Sequence, residues 1–172
     1  MIVYDEYNEL CEVFPELLNI PVNTVKNPFN SNPLPFFFRF GKDYHAVHFP
    51  GCMHIDDVLF VIQNDKGTLS FFSFLFALND IEITAKNITK FLILHEMGHY
   101  KSFKDDFNCN YFLYADDFDR QMREFEFESS KNNYSHRDRA YKYRALKKER
   151  DADRYALEML SEYILLTTEV EI

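Results

Sequence analysis

The stretch Ile88–Lys101 reads ITKFLILHEMGHYK and contains His95-Glu96-Met97-Gly98-His99, an H-E-x-x-H. On a helix the two histidines, four residues apart, leave the same face and can hold one metal ion. Glu96 lies beside that face, within reach of a metal-bound water. Apolar Ile88, Phe91, Leu92, Ile93, Leu94 and Met97 make the segment apolar almost all round, as in a helix buried inside a domain. Polar groups in such a place need partners, because burying them unpaired is costly. The helix is expected from about Ala85 to Phe103, with Thr84 as its N-cap.

Those partners stand in the last long segment. From about Arg137 to Ile164 there is neither Gly nor Pro, and Leu146, Glu149, Asp153, Ala156, Leu160 and Ile164 fall on one stripe at spacings of three and four. Glu149 and Asp153 occupy positions where the periodicity would place apolar residues, and two carboxylates on a buried face need a cation or hydrogen-bond donors. Glu149 is therefore the expected third zinc ligand beside His95 and His99. The fourth position is left to water, as in catalytic rather than structural sites. Asp153, one turn on, is placed to accept the N–H of a ligand histidine and fix its tautomer.

His95-Glu96-Met97-Gly98-His99 followed by Glu149-Arg150-Asp151-Ala152-Asp153-Arg154-Tyr155-Ala156 resembles the H-E-x-G-H and E-x-x-A-[DN]-x-[FY]-A pair of small gluzincin peptidases of the ImmA/IrrE type. The second block also resembles that of the HtpX and CaaX-protease group. The resemblance implies one zinc ion per chain, hydrolysis of a peptide bond in a protein or peptide substrate, His95, His99 and Glu149 as ligands, and Glu96 as general base. The membrane spans of the HtpX and CaaX group are missing from this sequence, and no DNA-binding segment such as accompanies many ImmA/IrrE-type proteins is evident, so the substrate does not carry over.

A donor for the developing oxyanion is also wanted, and Tyr134, His136 and Tyr155 are candidates by residue type alone. Other ligand sets are open. Asp105 stands where a longer H-E-x-x-H-x-x-G-x-x-H/D signature places its third ligand, but Ser102 replaces the glycine of that signature. His45, His48, Cys52 and His54 cluster in sequence as a second metal site, yet His45 and His48 on a strand would point to opposite faces. A purely structural zinc would need a fourth protein ligand, for which Cys109 is nearest.

Around the two motif helices the chain reads as α+β. Phe36–Phe40 and Tyr44–Phe49 flank Gly41-Lys42-Asp43 as a hairpin. Val58–Gln63 and Thr68–Phe76, joined by Asn64-Asp65-Lys66-Gly67, suggest a second one. Thr68–Phe76, apolar on both faces, is the expected edge strand for β-addition of a peptide. Tyr4–Leu18 predicts a short helix broken at Pro15. Pro21–Pro35, with four of the six prolines, predicts a loop anchored by Phe29. Tyr111–Phe127 is open between a helix and a loop plus helix, Glu128–His136 is expected to be exposed, and a lid is sought between Asp105 and His136. The whole, residues 1–172, is expected to be one minimal zincin-like domain: a small, mostly antiparallel sheet packed on the H-E-x-x-H helix and on a long C-terminal helix carrying the third ligand.

Composition narrows the setting. A chain of 172 residues with 47% hydrophobic content suits one domain with a substantial core, and 19 Phe with no Trp predicts that phenylalanine builds it. A net charge of −9 opposes nucleic acid as the main partner. Cys11, Cys52 and Cys109 lack C-x-x-C spacing and suit a reducing compartment. The N-terminus has no signal-peptide pattern, and the apolar zone Val58–Leu78 is too interrupted to cross a bilayer. A soluble cytoplasmic endopeptidase, cleaving a specific regulatory protein, is the expectation, with its oligomeric state open. The competing reading is a catalytically silent zincin-fold protein that holds a partner in an aromatic groove.

Overall fold

A helix apolar almost all round has to be enclosed, and α4 (Ala85–Asp105) is: Ile88, Phe91, Ile93, Leu94 and Met97 are fully buried. The structure, a computed structural model, describes residues 1–25 and 34–168, with His136 described in its backbone alone. Thr84 Oγ1 accepts the Asn87 N–H at 3.1 Å and starts α4 as an N-cap. Around α4 pack α1 (Val3–Val13), α2 (Ile55–Asn64), a small sheet and α7 (Lys147–Thr168).

The helix expected at the N-terminus is α1, which stops before Pro15. A 3-10 turn, Pro15–Asn19, follows and sends Leu17 rather than Leu18 into the core. Lys90 of α4 is buried and pairs with Glu6 and with Glu9, the latter at 2.8 Å, while Tyr163 of α7 donates its hydroxyl to Glu9 at 3.1 Å. Three helices are tied at that point, because a buried ammonium is tolerated only with such partners.

The first hairpin is present as β2 (Phe37–Phe40) and β3 (His45–Phe49), antiparallel with Phe38 opposite Val47. The sheet is mixed and not mostly antiparallel, since β1 (Val22–Thr24) pairs with β3 in parallel, giving the order β1-β3-β2. That strand lies within the stretch read as a loop. Pro21 precedes it, where no ladder N–H is required, and the Pro21 carbonyl accepts the Val47 N–H at 2.8 Å. Phe29 lies outside the described residues.

The second hairpin is overturned. Its two arms are α2 and α3 (Lys66–Ala77), both helical. Ile55, Val58 and Ile62 recur at helical spacing and are all buried. Asp65 Oδ1 accepts the N–H groups of Gly67 and Thr68 at 2.9 Å each, so the residues read as a β-turn are an N-cap. Phe72 and Phe76, one turn apart, pack edge-on against Phe91. A run apolar at nearly every position carries no period that separates strand from helix. Thr68–Phe76 therefore supplies no edge strand.

The segment after α4 is helical from Tyr111 to Asn132, as α5, and includes half of the stretch expected to be exposed; Ser129 there is buried. Asn133, at φ 50°, ends it in the left-handed conformation that Asn tolerates. The single long helix expected from Arg137 is two helices, α6 (His136–Arg144) and α7. Between them Ala145 and Leu146 donate their N–H groups to Tyr141 and Tyr143, closing α6 in a tight turn, and α7 starts afresh. The break folds the end of α6 back over the first turn of α7. Among the described residues no helix is long and apolar enough to cross a membrane.

Candidate metal centre

The position of Glu149 is set by how closely α7 approaches α4. A Cβ on Gly98 would lie 2.9 Å from Ala152 Cα and 3.2 Å from its carbonyl oxygen, so only a residue without a side chain admits the contact without displacing backbone. One turn before Ala152, the carboxylate of Glu149 meets both histidines: Oε2 is 3.3 Å from His95 Nε2 and Oε1 is 3.5 Å from His99 Nε2. The two Nε2 atoms are 3.1 Å apart. Ligands about 2.0–2.1 Å from a common tetrahedral centre are separated by about 3.3–3.4 Å, so the three observed separations suit a single ion. Among the described residues His95, His99 and Glu149 form a group that can hold a metal ion. His95 and Glu149 are buried, and His99 keeps 12% of its side chain exposed.

A second set of contacts holds these three. Asp153 Oδ1 stands 2.9 Å from His95 Nδ1, though the N–H is poorly aligned with it, and this leaves Nε2 as the atom facing Glu149. The Tyr143 hydroxyl donates to Glu149 Oε1 at 3.0 Å. Arg144 Nη1 lies 3.1 Å from Glu149 Oε2, 3.4 Å from Asp153 Oδ1 and 3.1 Å from His95 Nε2, with its guanidinium over the Phe71 ring. A metal and Arg144 cannot share the one lone pair of Nε2.

The charges follow from this arrangement. Burial and the Arg144 charge both favour neutral His95, but Asp153, Glu149 and Glu96 outweigh them and lift it to about 9. Burial likewise opposes the Glu149 carboxylate, yet its contacts with His95 and His99 hold it well below the usual range. The cluster thus favours a positive charge between its carboxylates, which a proton or a metal ion can supply. Tyr143 is pushed up by burial and by Glu149, so it stays a donor.

Glu96 projects into a cavity of about 350 Å³ shared by the three candidate ligands. Phe36, Phe38 and Phe40 from the hairpin, Leu92 from α4, and Tyr114 and Phe118 from α5 form its apolar walls. Glu96 Oε2 accepts the backbone N–H of Phe38 at 2.7 Å.

The four residues read from the two motifs, His95, Glu96, His99 and Glu149, are therefore brought together, with Asp153 behind His95. Of the suggested oxyanion donors, Tyr134 and Tyr155 are not among the described residues lining this cavity. Tyr155 packs beside Gly98 on the far side of α4, and burial raises it to about 12. Tyr134 accepts a hydrogen bond from Asn132 beyond the end of α5. The side chain of His136 lies outside the described residues. Asp105 pairs with Lys101 at the surface, and Cys109 is exposed, so neither joins the group. His45 packs on Phe103 and His48 stacks on Phe37, while His54 caps α2 and Cys52 is exposed. Tyr143, Arg144 and the Phe38 N–H were not legible beforehand, because the α6–α7 break that delivers the first two is marked by neither Gly nor Pro and a backbone donor has no sequence signature.

No protein-family model, no curated protein and no solved structure matches this chain.

Proposed function

We propose that the chain is a zincin-like, zinc-dependent endopeptidase. The observation that supports this most is the convergence of His95, His99 and Glu149 on one point at the floor of a cavity that also holds Glu96. Three protein ligands from two helices, with no fourth joining the group among the described residues, suit a catalytic ion. Zinc held there supplies a Lewis acid and makes water a better nucleophile near neutral pH. Glu96 takes a proton from the attacking water and returns it to the leaving amine, which balances the hydrolysis. Asp153 orients the His95 ring, and Tyr143 orients the Glu149 carboxylate. Tyr143 and Arg144, rather than Tyr134 or Tyr155, are the polar donors beside the reacting centre.

The substrate is read as an extended polypeptide. β2 is an edge strand whose Phe38 and Phe40, with Phe36 just before it, belong to the cavity wall, and it takes the docking role in place of Thr68–Phe76. Proteolysis of unfolded protein substrates should fall about 10²–10⁴-fold in Glu96→Gln, the range a general base contributes, with zinc retained. Undiminished proteolysis in that variant contradicts the assigned chemistry. A partner captured equally by both proteins and recovered intact supports a binding protein instead.

A further inference from the structure

The candidate base and the candidate docking strand share one hydrogen bond. The Phe38 N–H goes to Glu96 Oε2 and not to β3. In an antiparallel pair the N–H and C=O of one residue face the same side, so both groups of Phe38, opposite Val47, point away from the sheet. β2 is the last strand in the order β1-β3-β2, and among the described residues no strand pairs with its outer side. Those outward groups are what an extended peptide uses to add itself to a sheet. A peptide carbonyl and the Glu96 carboxylate therefore compete for a single donor.

We infer that Glu96 is a substrate-released base: an extended polypeptide docking on β2 takes the Phe38 N–H with a backbone carbonyl and frees the Glu96 carboxylate to accept a proton from water. The inference rests on the peptidase reading of the same site and adds to it a coupling between docking and competence. A hydrogen bond to a carboxylate is stronger than one between amides. The exchange at Phe38 is thus unfavourable alone and needs the rest of a strand ladder, together with burial of an apolar side chain among Phe36, Phe40, Tyr114 and Phe118. The ligand class that meets both conditions is an extended polypeptide with a bulky apolar side chain near the bond to be cut. Single amino acids and short polar peptides leave Glu96 held.

Amide hydrogen exchange read by NMR tests this. Phe38 should exchange at least tenfold faster in Glu96→Ala than in the wild type, with an intermediate rate in Glu96→Gln. Arg39, whose N–H faces β3, should be unchanged and so report an intact strand. The probe ligand is a decapeptide of alternating Phe and Thr whose central peptide bond is reduced to CH2–NH. It should bind Glu96→Ala about tenfold more tightly than wild type and restore slow exchange at Phe38. Equal Phe38 exchange in the three proteins overturns the inference, as does a probe that binds none of them or binds the wild type at least as tightly. Exchange at Phe38 needs neither zinc nor turnover, so its failure leaves the peptidase reading intact, and missing zinc or missing cleavage leaves the exchange result standing.

Discussion

Helices α5 and α7 are each 22 residues long, yet they are attached to the molecule in different ways. α7 lies against α4 at backbone distance through Gly98 and Ala152, and its stripe Glu149, Asp153, Ala156 and Leu160 is buried. α5 buries Tyr114, Gln121, Phe125 and Ser129 but leaves Phe112 and Phe127 largely exposed, at 68% and 70%. It is attached by side chains instead: Tyr114 packs edge-on against Phe38, Phe40 and Phe103, Arg139 of α6 pairs with Glu126, and Lys148 of α7 reaches into it. The Lys148 ammonium donates to the Tyr114 carbonyl at 2.7 Å and lies 3.3 Å from the Tyr114 ring centroid, with the Phe107 and Phe118 rings at 5.2 and 5.4 Å. The lesson concerns tolerance. Ligand atoms must be fixed to a few tenths of an ångström, which close backbone packing does, whereas a cavity wall can be held by a cation among aromatic rings.

The comparison can be broken at either attachment. The larger effect is expected at Gly98. In Gly98→Ala the added methyl meets Ala152 backbone, and overpacking of about 1–3 kcal/mol exceeds or cancels the ~1 kcal/mol gained in helix propensity. Because Glu149 moves with α7, zinc affinity should fall about 10–100-fold, the range typical of losing support around a ligand. Chelator competition together with thermal unfolding measures both; unchanged affinity would show that the α4–α7 distance does not position Glu149.

A smaller and differently distributed effect is expected from Lys148→Ala. It removes the cation from its ring cage at a cost of about 1–3 kcal/mol. Amides in the first turns of α5 should lose exchange protection, while zinc content stays at about one per chain. Loss of zinc in this variant would mean that α5 and α7 are not separable in the way described.

The same contrast explains what could be read in the sequence. α4, its Thr84 cap, the β2–β3 hairpin and the buried carboxylates of α7 each carry a local signal: a period, a capping residue, a turn, or a polar residue on an apolar stripe. The α+β class followed from these, although the mixed pairing of the sheet did not, because β1 joins β3 through long-range parallel contacts hidden among prolines and asparagines. α2 and α3 read as strands because α2 carries the run Val58–Ile62, rich in β-branched residues, and α3 is so rich in Phe and Leu that its alternation is accidental; the spacing of Ile55, Val58 and Ile62 and the cap at Asp65 are the informative marks. Of the candidate site, the residues on the two motif helices were legible. Tyr143, Arg144 and the Phe38 amide arrive by a chain break and an edge strand that no residue pattern announces.

Zinc content tests the central claim most directly: elemental analysis of the wild type and of Glu149→Ala, purified identically without added metal, with circular dichroism to confirm folding. The account predicts about one zinc per chain in the wild type and its loss from a folded variant. Equal zinc in the two proteins, or none in the wild type, would contradict a centre built jointly by α4 and α7.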